Sequence, residues 1–271
     1  MRYVNLGCGN NYHPDWINID IAPLGPGVIA HDLSRGIPLG DNSCDVVYHS
    51  HVLEHIRRGD APAFIAECFR VVKPGGIIRI AVPDLERICR AYLEKMDGAL
   101  AGDRAAEADY DWIMLELLDQ TTRERSGGMM GAWLRRQPLA NEEFIYERIG
   151  EEGRRMVEAI RAPGNGAMGR GGRSIGSLLR GVRSRLTGML LGAGGKSALR
   201  IGRFRLEGEV HQWMYDRFSL ARLLLDAGFR NPIPRSATES HIPNWPAYNL
   251  DTLPDGTVIK PDSLFMEAEK N

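Results

Sequence analysis

The chain opens with two short apolar runs that each stop at a polar turn. Tyr3-Val4-Asn5-Leu6 ends in Gly7-Cys8-Gly9, and Ile17-Asn18-Ile19 ends in Asp20. This pattern predicts a strand, a glycine turn, a brief crossover and a second strand capped by a carboxylate. A third strand is predicted over Val28-Ile29-Ala30-His31-Asp32-Leu33, again ending in an acid. After a loop from Gly36 to Ser43, Cys44-Asp45-Val46-Val47-Tyr48-His49-Ser50-His51 reads as a fourth strand. Val52-Leu53-Glu54-His55-Ile56 then leads to a helix over about 60–72, with Phe64, Ile65, Cys68, Phe69 and Val72 on one face. Lys73-Pro74-Gly75-Gly76 stops that helix. The run Ile77-Ile78-Arg79-Ile80-Ala81-Val82-Pro83-Asp84, in which the alternation of faces is lost, predicts a fifth strand buried on both faces. The alternation of strand and crossover defines an α/β domain with a doubly wound, mostly parallel sheet.

The glycine turn narrows the ligand. A turn without Cβ atoms lets the backbone approach a bound molecule, and a carboxylate on the next strand can accept two hydrogen bonds from a ribose diol. The dinucleotide fingerprint requires a third glycine opening a helix beneath a pyrophosphate, with its acid about twenty residues on. Here Asn10 and Asn11 follow the glycines and Asp20 arrives early. So short a link holds no long helix whose N-terminus could receive phosphates. A nucleoside without phosphates fits better.

The ordered series NLGCG, NID, HDL, CDVVYHSHVLEHI, FRVVKPGG and IAVPDLE resembles the class I S-adenosylmethionine-dependent methyltransferases. The resemblance covers residues 2 to about 95. It extends more loosely over 206–271, through His211-Gln212-Trp213-Met214-Tyr215-Asp216 and a helix from Ser219 to Ala227. Within that family the pattern is similar to small bacterial methyltransferases of polysaccharide and lipid-linked glycan pathways. The resemblance implies a Rossmann-like fold, S-adenosylmethionine as cofactor and a glycan, glycolipid or other small-molecule acceptor methylated on oxygen. A cofactor-binding partner subunit without turnover and a nicotinamide-dependent oxidoreductase are the competing functions, the latter with the wrong glycine spacing.

On that frame, Gly7, Cys8 and Gly9 face the methionine end of the cofactor, and Asp20, followed by Ile21, holds the ribose. Asp32 and Leu33 lie beside the adenine, with a helix cap or Asx turn as the rival role for Asp32. Ser50 and His51, at the carboxyl end of the fourth strand, lie where open α/β sheets place ligands. Methyl transfer to a hydroxyl needs a base, and histidine suits neutral pH. Of the seven histidines, His51 and His211 are the candidate bases, His49 and His55 read as structural, and Trp213 and Tyr215 form a candidate aromatic wall for a sugar. Asp84 either binds acceptor hydroxyls or caps the next helix. No metal-ligand spacing stands out.

Composition adds limits. A net charge of −1 over 271 residues gives no global bias toward nucleic acid. The four cysteines, Cys8, Cys44, Cys68 and Cys89, lack CxxC spacing and read as thiols of a reducing cytoplasm. No leader or spanning segment is evident, which points to a cytoplasmic enzyme. The core reads as 1–95 and 206–271, with a helical insertion at 96–205 that begins with helices over 105–124 and 141–160 and carries glycine-rich linkers. Since the first strand starts so early, this insertion is the expected cover over the cofactor. From Ala159 to Leu206 it contains no Asp or Glu, and an apolar stripe runs through Ile175, Leu178, Leu179, Val182, Leu186, Met189 and Leu190. Such a basic amphipathic segment at 170–195 suits either a lid or peripheral contact with an anionic membrane, and nucleic acid is disfavoured because no aromatic residue interleaves the arginines before Phe204.

Overall fold

The computed structural model describes residues 1–162, 192 and 194–271. Seven strands form one sheet: β1 (Tyr3–Leu6), β2 (Ile17–Asp20), β3 (Val28–Ala30), β4 (Cys44–Ser50), β5 (Val72–Pro83), β6 (Arg230–Arg235) and β7 (Ser263–Glu269). Their order is β3-β2-β1-β4-β5-β7-β6. The first five pair in parallel, while β7 runs antiparallel between β5 and β6. This is the mostly parallel α/β architecture that the pattern of apolar runs predicts.

Helix α1 (Ala61–Val71) buries Phe64, Ile65 and Cys68 as its spacing requires. Together with α6 (Arg217–Asp226), which buries Leu220 and Leu224, it covers one face of the sheet in a core containing Val4, Leu6, Val47, Ile78 and Ile80. A capping box starts α6, with Asp216 accepting from Phe218 and Ser219 and Ser219 returning a bond to the Asp216 amide. The opposite face is covered by irregular chain. Trp245, Ile242 and Leu250 pack on Tyr3, Trp16, Val46 and Tyr48.

That irregular cover is fastened by a buried arginine. Arg79, on β5, donates to Asp251 at 2.8 Å and 3.0 Å, to Glu267 at 2.8 Å, and to the carbonyls of Ser236 and Glu239. Its guanidinium also lies over the Trp245 ring. Arg79 and Glu267 are directly opposite each other in the β5–β7 ladder, so one ion pair is built into the register of the sheet.

Beyond α2 (Leu85–Leu100) come α3 (Arg104–Thr122), α4 (Gly128–Leu134) and α5 (Glu142–Arg161), close to where helical periodicity places two of them. They enclose their own apolar cluster of Trp112, Trp133, Leu134, Leu139, Ile145, Ile149 and Val157. Residues 194–206 are also helical. Most of the basic amphipathic segment expected at 170–195, as lid or membrane contact, lies outside the described residues. Among the described residues no helix is long and apolar enough to cross a membrane, and all four cysteines are free.

His49 is fully buried beside Phe64, with no hydrogen-bond partner for either ring nitrogen among the described residues. Burial pushes its imidazole down to about 4. In the unfolded chain a histidine titrates near 6.5. Below that value the unfolded chain takes up a proton that the folded chain refuses, so the stability contributed is complete above about 6.5 and is lost as pH falls toward 4. From this residue alone the protein is expected to lose on the order of 2 kcal/mol between pH 7 and pH 5. Urea titrations at both values should show the loss, and His49→Leu should shrink it.

Candidate active site

The glycine loop leaves β1 with Gly7 at φ +63° and Gly9 at φ +50°, a left-handed geometry that favours glycine. The Gly7 and Cys8 amides both donate to the Ile19 carbonyl, which pins the loop against β2. A Cβ on Gly7 would lie 2.4 Å from Cγ2 of Val52, whereas one on Gly9 would meet open space. The loop therefore rests on the segment after β4 and keeps its other side free. Burial, then the charge of Asp20, raises the Cys8 thiol to about 11, so it stays neutral.

At the end of β2, Asp20 accepts from the Gly9 amide at 2.8 Å through Oδ2 and from the Ala22 amide at 2.9 Å through Oδ1. Each oxygen keeps a lone pair for a further donor. Ile21 beside it is 72% exposed, an apolar surface at the rim. These residues fit S-adenosylmethionine: glycine backbone with open space above it, a carboxylate with spare acceptor capacity, and an uncovered apolar side chain. The third strand is shorter than its sequence predicts. It ends at Ala30, and Asp32 caps a 3-10 turn (Leu33–Arg35) by accepting from the Ser34 amide. Leu33 packs partly against the core.

His51 follows β4 directly and has φ +54°, an unusual conformation for a residue with a Cβ. Its amide donates to the Ala81 carbonyl. Its ring is gripped at both nitrogens. Nδ1 lies 3.1 Å from Oε1 of Glu54, and Nε2 lies 2.9 Å from the Ser263 hydroxyl. Glu54 is fully buried. Burial alone would raise its carboxyl, but the close imidazole of His51, with His55 and His211 behind it, holds it down to about 2. An ionised Glu54 selects the tautomer with the proton on Nδ1, leaving the lone pair on Nε2. Ser50, half-buried, precedes His51 and pairs with Ala81 on β5.

The segment after the insertion is brought to the same place by backbone bonds. The Gln212 and Trp213 amides both donate to the Glu54 carbonyl, and Leu85 donates to the Tyr215 carbonyl. His211 is thereby buried against His55, with ring centroids 4.8 Å apart. Burial pushes His211 down to about 3. Trp213 stays partly exposed, and the Arg58 guanidinium stacks 4.4 Å from its ring centroid. Tyr215 is in the main core, and its hydroxyl lacks a partner among the described residues. Asp84 caps α2 by accepting from the Arg87 amide.

The insertion reaches this end of the sheet through α5. Gly150 breaks the helix at φ +59° and lies so close to the 259–261 loop that a Cβ would be 2.4 Å from Pro261. That approach sets Glu152 2.8 Å from Lys260. Asp262 and Ser263 follow immediately and lead into β7. The sequence singles out His51 but neither Ser263 nor Glu54, the two groups against its ring. Glu54 stood in plain view at helical spacing from His51, whereas nothing local marks Ser263.

A family model described as "Methyltransferase domain" matches residues 22–80. A probable S-adenosylmethionine-dependent methyltransferase of Mycolicibacterium smegmatis is 35% identical over 99 residues, covering 30% of this chain and 37% of the relative. The chain thus spans little more than a third of the length of that relative. Among solved structures, a SAM-dependent methyltransferase from Archaeoglobus fulgidus aligns over 100% of this chain and 86% of its own at 12% identity, with a TM-score of 0.40. One from Mesorhizobium loti aligns over 99% and 90% at 13% identity, with a TM-score of 0.36. The sheet order of this chain, with β7 inserted antiparallel between β5 and β6, is the class I Rossmann-like arrangement.

Proposed function

We propose that this chain is an S-adenosylmethionine-dependent methyltransferase that methylates an oxygen of a glycan, glycolipid or other small molecule, with His51 as the base. The observation that carries the reading is the adjacency of three elements at the carboxyl ends of β1, β2 and β4. These are the open glycine loop, the Asp20 carboxylate and a histidine oriented by an ionised glutamate. When bound, the cofactor supplies a methyl group made electrophilic by the sulfonium. The backbone of Gly7 to Gly9 and the carboxylate of Asp20 bind and orient it. His51 Nε2 takes the acceptor proton, directly or by way of the Ser263 hydroxyl that already reaches it. His211, buried and held neutral down to about pH 3, is the weaker candidate base. Trp213 and Arg58 offer an exposed aromatic and cationic surface suited to the acceptor. For a lipid-linked acceptor, the basic stretch at 170–195 would meet an anionic membrane surface by charge.

The cofactor half is tested by calorimetry. Asp20→Ala should weaken S-adenosylmethionine by about tenfold to a hundredfold, the loss of charge-assisted hydrogen bonds worth roughly 1.5 to 3 kcal/mol. Equal affinity in the folded variant would remove Asp20 from the site, and no affinity in the wild type would remove the reading.

A further inference from the structure

Behind His51 stands a cluster of three groups whose arrangement goes beyond orienting that ring. Glu54, His55 and His211 each offer one ligand atom, and these atoms lie within 4.8 Å of one another. Glu54 is fully buried and His211 is 6% exposed. Glu54 Oε2 and His211 Nδ1 have no hydrogen-bond partner among the described residues. The His55 and His211 rings meet at 84°, edge against face. His55 Nε2 is 4.0 Å from Glu54 Oε1, too long for a hydrogen bond.

Away from His51, the buried Glu54 carboxylate faces two imidazoles, neither of which hydrogen-bonds to it. Imidazole nitrogen with one carboxylate oxygen is a donor set for divalent first-row transition ions and a poor one for magnesium. On an ion with bonds of about 2.0–2.2 Å, tetrahedral ligand atoms lie roughly 3.3–3.6 Å apart, so rotations of about an ångström close this set.

We propose that Glu54, His55 and His211 form a binding site for a divalent transition-metal ion of the zinc class. The ion neutralises the buried Glu54 and ties the 52–56 segment to the chain that returns from the insertion. Glu54 then faces both ways, with His51 on one side and the ion on the other, the arrangement in which an outer partner fixes a ligand's orientation.

The test uses the full chain, dialysed against a chelator and titrated with Zn2+ by calorimetry and with Co2+ by visible absorption. One equivalent of Zn2+ should bind, Mg2+ should not replace it, and Co2+ should give a d–d band without thiolate charge transfer. His55→Gln or His211→Gln should weaken Zn2+ by at least the tenfold to hundredfold that loss of an outer partner costs. His241→Gln, at an exposed histidine, should leave it unchanged. No Zn2+ binding by the folded wild type, a thiolate band with Co2+, or affinity unaltered in both folded variants would overturn the site. If the glutamine variants do not fold, the wild-type Co2+ spectrum decides alone. S-adenosylmethionine affinity of the same sample is a separate readout, so failure here leaves the methyltransferase reading standing.

Discussion

His51→Ala is expected to lower turnover by about 10² to 10⁴ while leaving S-adenosylmethionine affinity nearly unchanged. The reasoning is geometric. The ring is fixed by Glu54 on Nδ1 and by Ser263 on Nε2, and the strained backbone at φ +54° aims it from the end of β4. Its backbone amide, which bonds to Ala81, survives the substitution, so the fold should persist. Single-turnover transfer to an accepted substrate, paired with calorimetry, separates the two quantities. Unchanged turnover would mean that alignment of acceptor and methyl suffices. Loss of cofactor binding with the fold intact would move His51 into the cofactor shell.

Arg79→Met should cost about 3–5 kcal/mol of stability, the usual penalty for removing one partner of a buried ion pair. The cause is the stranding of two acids. Asp251 and Glu267 are both buried and both pair with the same guanidinium, although Glu267 keeps the Ser240 hydroxyl, the His241 amide and the nearby Arg235. Tyr48 would remain on Asp251 at 2.6 Å, which offsets only part of the loss. Because this cluster holds the 236–251 cover on the sheet, the effect should appear as a lower urea midpoint together with changed fluorescence of Trp245. A shift of less than 1 kcal/mol would show that the cover is held by its aromatic packing alone.

The part of the fold readable in sequence is the part whose periodicity is local. β1, β2, β4, β5 and α1 are apolar runs with glycine or proline punctuation, and their positions follow within a few residues. The other strands hide their character. β6 contains Pro232 and Pro234, tolerated because it is an edge strand. β7 carries Glu267 inward, a residue whose burial makes sense only beside partners far away in sequence or hidden in turns, Arg79, Arg235, Ser240 and the His241 amide. In β3 the acid that reads as a strand end is a turn cap, since Asp32 bonds to Ser34. The site divides in the same way. The glycines, Asp20 and His51 are visible because their places in strand and turn give them meaning. Ser263 reaches His51, and His211 reaches Glu54, only through the sheet order and the Glu54 carbonyl that draws in Gln212 and Trp213.

One feature of the backbone bears on how such a chain can change. Asp84 and Tyr215 form a bridge, and Leu85 bonds to the Tyr215 carbonyl. The excursion between them therefore leaves and returns beside one bridge at the sheet. With its ends already joined, doubling the enclosed length costs only about 0.6 kcal/mol in closure entropy. Helices between these two residues can therefore be lengthened or shortened at little cost to the strands of the sheet, provided Gly150 or an equivalent still lets one of them come down onto the 259–261 loop.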